Sequence, residues 1–64
     1  MTKTHFDKSA LITMKCEIEV IVSHLQQIAK QTHDAEWYWV SADATVATTK
    51  CLKMLQWIEG ELKI

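Results

Sequence analysis

"WYWVSADATVATTKCLKMLQWI", residues 37–58, decides the fold, because it reads either as one long helix or as a short extended segment followed by a helix. Apolar or small residues recur at Trp37, Val40, Ala44, Ala47, Cys51, Met54 and Ile58. These alternating steps of three and four keep side chains on one face of a helix. Leu55 and Leu62 widen the stripe on one side. Against a continuous helix stands "SADATVATT", residues 41–49, whose small and β-branched residues lower helix propensity. A helix starting only at Ser41 would leave "WYWV" extended, a conformation that aromatic and β-branched residues also favour. Trp37 and Val40 fall in phase with Ala44 and Ala47 across the supposed break, which favours one continuous helix.

The same alternation runs through the first half of the chain at Leu11, Met14, Ile18, Ile21, Leu25 and Ile28. Between the two series, "AKQTHDAE", residues 29–36, interrupts the pattern with polar residues, and Thr32 or Asp34 is suited to cap a new helix. "THFD", residues 4–7, reads as a capping box with Thr4 as cap and Asp7 in the place usually held by Glu. The expected organisation is all-α: helix one over about 5–31, a turn over about 32–35 and helix two over about 36–60. A short connection makes the two helices antiparallel, so 1–64 forms a single helical-hairpin domain. Gly60 either ends helix two or interrupts it, since Leu62 continues the stripe beyond it. Large side chains on the first seam face Ala44, Ala47 and Cys51 on the second, so one can fill the space left by the other.

Composition agrees with a chain made mostly of helix. There is one glycine and no proline in 64 residues, leaving little to punctuate loops. No apolar run approaches the length of a membrane span, and "MTKTHFDKSA" lacks the apolar core of a secretion signal, so a cytoplasmic protein is expected. Net charge is −1 and all seven basic residues are lysines. The planar fork that arginine offers to phosphates and guanines is therefore missing, which weighs against nucleic acid.

A chain this short buries only about 60% of the surface its unfolded form exposes, so help from disulfides, a metal or a second copy is expected. Cys16 and Cys51 fall at similar heights in the hairpin but on different faces, which rules against a bridge. His5, His24 and His33 lie far apart rather than at ligand spacing, and capping and helix-dipole roles account for the acids of "HDAE". No structural metal and no cofactor is expected. Neither cysteine has a histidine on an adjacent helical turn, and no glycine-rich phosphate loop or paired-carboxylate cleft is present, so no enzyme is expected.

The surplus of apolar residues is more informative. Phe6, Ile12, Cys16 and Val20 on helix one fall nearly opposite its seam; Trp39, Val46, Trp57 and Ile64 do the same on helix two. The first set is the expected dimer or second interface. Two hairpins pairing into a homodimeric four-helix bundle would cover part of this surplus, and the small face of Ser41, Ala42, Thr45, Thr48 and Thr49 would let another helix approach closely. Trp39, Val46, Lys50, Lys53 and Trp57 are the candidate partner-binding residues, because aromatic rings in interface hot spots bury much area at little entropic cost. The expected function is a small adaptor, inhibitor or accessory regulator that binds itself and another protein, with no small-molecule substrate. Two alternatives stand beside it, a purely structural homodimer and a nucleic-acid binder with rings and lysines interleaved. In architecture the latter resembles the Rop-like RNA-binding helical dimers, a resemblance of shape that no motif of this sequence carries.

Overall fold

The computed structural model describes residues 6–63 and contains two helices, α1 (Lys8–Asp34) and α2 (Tyr38–Leu62), packed against each other as an antiparallel hairpin. The hairpin measures 47 × 22 × 15 Å, one helix thick.

Asp7 starts α1. Its backbone is extended (φ −71°, ψ 166°) and its carboxylate accepts the Ala10 N–H at 2.8 Å, satisfying one of the amides that a helix start leaves unpaired. The cap is thus Asp7 rather than Thr4, which lies outside the described residues.

The far end of α1 also departs from expectation. Thr32 and Asp34 remain helical, and neither caps α2. Thr32 instead turns its hydroxyl back to the Ile28 carbonyl at 2.7 Å and the Ala29 carbonyl at 3.2 Å. The chain leaves the helix through Glu36, whose φ of 64° is left-handed. The Glu36 N–H donates to the His33 carbonyl at 3.0 Å and the Trp37 N–H to the Thr32 carbonyl at 2.8 Å. This pair of bonds is a Schellman motif with glutamate in the position glycine usually takes. Trp37 then precedes α2 with φ −87° and ψ 65°, and no side chain caps that helix. Beside the turn, the His33 and Tyr38 rings meet edge to face, 5.2 Å between centroids.

α2 is continuous from Tyr38 through "SADATVATT" and past Gly60 to Leu62. The threonines fit because each hydroxyl bonds a carbonyl one turn back: Thr45 to Ser41 at 2.9 Å, Thr48 to Ala44 at 2.8 Å and Thr49 to Thr45 at 3.2 Å. Gly60 does not end the helix: α2 runs on to Leu62, and the Gly60 backbone is not left-handed.

The interface between the helices is rotated from the expected seam. On α1 the buried or half-buried residues are Ala10, Leu11, Met14, Lys15, Ile18, Val22, Leu25, Ala29 and Thr32; Ile21 and Ile28 are exposed. On α2 they are Val40, Ser41, Ala44, Ala47, Thr48, Cys51, Leu55, Ile58 and Leu62; Met54 is exposed. Val22, Cys51 and Leu55 form the buried centre, with Ile18 and Leu25 packed against it. Near the turn, buried Ser41 donates its hydroxyl to the Ala29 carbonyl across the interface at 2.9 Å. Ala29, Ser41 and Ala44 are the small residues that let the backbones approach there, and they fix how each helix is rotated about its own axis. Ser41 and Thr48 are therefore turned toward α1 and unavailable to a further helix, whereas Ala42, Thr45 and Thr49 stay exposed. Trp37, expected in the seam, is 57% exposed. It belongs to the turn, where its non-helical backbone takes it out of the helical phase.

Candidate interaction surfaces

Three apolar surfaces remain outside this interface. The first is the outer stripe of α2. Trp39 is 69% and Trp57 77% exposed, with Val46, Lys50 and Lys53 exposed between them. The unbroken helix keeps the two rings in phase at 18 residues' separation, about 27 Å apart along the axis. The continuity of α2 through residues 41–49 is what keeps Trp39 and Trp57 aligned, since a break there would change their relative phase.

The second surface is on α1, where Ile12, Cys16 and Val20 are all exposed. Phe6 is not part of it. It precedes the α1 cap and turns toward the open end of the hairpin, beside Trp57. Both thiols are free, with Cys51 buried between the helices and Cys16 exposed, which agrees with their assignment to different faces.

The third surface joins the two helices and was hidden in the sequence inside the expected seams. At the open end, Phe6, Leu11, Met14 and Ile18 from the first half and Met54, Trp57, Ile58 and Glu61 from the second enclose an apolar groove of about 380 Å³. Trp57 thus borders both this groove and the outer α2 stripe. Ile21 and Ile28, which continue the helical column of Met14 toward the turn, are 47% and 43% exposed. The signal for this face is the width of the apolar stripe: each helix carries one column of apolar residues more than a single neighbour can cover.

Among the described residues no three His, Cys, Asp or Glu side chains converge as metal ligands, and no helix is long and apolar enough to cross a membrane. Every buried side-chain polar atom among them has a hydrogen-bond partner. Comparison with protein-family models, curated proteins and solved structures returned no match.

Proposed function

We propose that the chain is a small, non-enzymatic, cytoplasmic interaction module that acts as a homodimer. In this reading two hairpins build a four-helix bundle, and the outer α2 stripe of Trp39, Val46 and Trp57, flanked by Lys50 and Lys53, binds another protein. One observation carries the proposal. The hairpin is a single layer whose described side chains include none fully buried, while twelve large apolar or aromatic ones are exposed. Folded domains close their core between at least two layers, and apolar surface on this scale marks interaction sites. Trp39 supports the second half of the proposal, because it lies away from the groove and contributes nothing to the buried centre.

Trp39→Ala tests it. The variant keeps the helicity, melting temperature and mass of the unaltered protein, as exposed substitutions ordinarily do within about 0.5 kcal/mol. It loses the partner protein that the unaltered chain retains from host extract. Dissociation of the dimer by Trp39→Ala would instead favour the purely structural homodimer. Lys50 and Lys53, lying between the two rings, favour nucleic acid as the second reading. Binding to RNA would weaken steeply with added salt and be lost on replacing both lysines.

A further inference from the structure

The face that receives the second copy follows from the phase of the two helices; this rests on the homodimer proposed above. Met14, Ile21 and Ile28 lie roughly 60–100° round α1 from the line of Leu11, Val22 and Ala29 that meets α2. Val40, Ala47 and Met54 lie roughly 40–80° round α2 from the line of Ala44, Cys51 and Leu55, in the same rotational sense. Because the helices are antiparallel, equal rotational senses place both columns on the same broad side of the hairpin. The groove confirms this geometry at the open end, since Met14 and Met54 line it together. That side has dimensions of 47 and 22 Å, long and wide enough to hold the roughly 800 Å² per partner of a standard interface. The exposed column of Ile12, Cys16 and Val20 has no apolar counterpart of this kind running beside it along α2.

We propose that a second copy of this chain covers the Met14–Ile21–Ile28 and Ala47–Met54 face, with the two-fold axis running along the helices, so that α1 of each copy packs on α2 of the other. Size complementarity and charge select this arrangement. The Ser41–Ala29 hydrogen bond sets those residues level, and counting back along the antiparallel helices places Val22 close to the height of Cys51, with which it shares the buried centre. A two-fold axis along the helices preserves those levels, so Ile21 falls between Ala47 and Met54 of the other copy, and Ile28 between Val40 and Ala47. Bulky side chains of α1 then enter the space beside a small one of α2, and all four interhelical contacts in the bundle have similar spacing. An axis across the hairpin would pair like helices. It would set Ile21 against its own copy and bring Lys50 beside Lys50, whereas the arrangement proposed places the Glu17 edge of α1 along the Lys50 and Lys53 edge of α2. Opposite charges on that rim select register and orientation, and like charges oppose the alternative.

Sedimentation and cross-linking test face and symmetry separately. The unaltered chain has twice its 7.4 kDa mass. Ile21→Glu weakens dimerisation on the order of a hundredfold, equivalent to two tenfold steps in the dissociation constant, while Val20→Glu leaves it unchanged. Ile21→Cys copies mixed with Ala47→Cys copies, each also carrying Cys16→Ser, join through a short thiol-reactive linker as 21-to-47 pairs. A monomeric unaltered chain would overturn both the homodimer and this inference. A dimer that survives Ile21→Glu and dissociates with Val20→Glu would overturn the face alone. Cross-links joining 21 to 21 or 47 to 47 in preference would overturn the symmetry alone. Should Ile21→Glu unfold the chain, the linker pattern in the cysteine variants still decides.

Discussion

Replacing Glu36 with glycine should raise stability, because the whole hairpin turns on one residue held in a conformation that its side chain opposes. Glu36 has φ 64° and is exposed. Left-handed backbone costs an L-residue with a Cβ about 1–2 kcal/mol, and glycine is free of that penalty. Glycine also gives the unfolded chain more freedom, which offsets about 0.5–1 kcal/mol of the gain. The charge contributes little to the balance: the carboxylate lies between the end of α1, which disfavours an anion, and the start of α2, which favours one. Glu36→Gly is therefore expected to stabilise by about 0.5–1 kcal/mol, which for a domain near this size moves Tm upward by about 2–8 °C. Thermal unfolding followed by circular dichroism measures it, at one fixed protein concentration because the proposed dimer would make Tm concentration-dependent. Glu36→Ala is the control: it removes the same charge and keeps the Cβ, so it should leave Tm near that of the unaltered chain. If Glu36→Gly melted at or below the unaltered protein, the strain assigned to the turn would be absent and the Schellman geometry wrong.

Two further substitutions probe the helices. Gly60 lies in the last turn of α2, and a Cβ built there meets nothing within 4 Å, so Gly60→Ala should stabilise by about 0.5 kcal/mol, the lower end of the glycine penalty because helix ends fray, read as a rise in the denaturant midpoint with unchanged slope. Ser41→Ala removes the hydrogen bond that the Ser41 hydroxyl donates across the interface to the Ala29 carbonyl. The Ala29 carbonyl keeps the Thr32 hydroxyl, so the loss should be about 0.5–1.5 kcal/mol, measured by equilibrium denaturation. Because alanine is as small as serine, the close approach of the helices is kept, and a loss well above this range would refute the assignment of a single ordinary hydrogen bond to Ser41.

Much of this molecule was legible in its sequence because helical periodicity is a local property. The steps of three and four from Leu11 and from Val40, together with the lack of proline and the single glycine, suffice for two helices. A polar interruption near residue 33 suffices for a turn. The same phase places Trp39 with Trp57, and separates Cys16 from Cys51, before any contact between helices is known. Boundaries were less legible. Asp7 and Thr4 can each cap a helix start, and choosing between them depends on backbone geometry. The exit from α1 carries no glycine to announce it, so the left-handed residue could not be found at Glu36 by composition.

What the tertiary structure alone decided is which column of each helix faces its neighbour. Leu11, Ile18 and Leu25 serve with either Met14, Ile21 and Ile28 or Lys15, Val22 and Ala29, since both sets lie within reach of one face. Size favours the first set in the sequence, where bulky apolar residues look like core. Packing favours the second within the hairpin, because close approach near a three-residue turn needs Ala29 opposite Ser41 and Ala44, and those small residues set the rotation of everything beyond them. Periodicity depends on one chain segment and fixes which residues share a face. The direction in which that face points depends on the fit between two surfaces, and only the packed pair of helices contains that information.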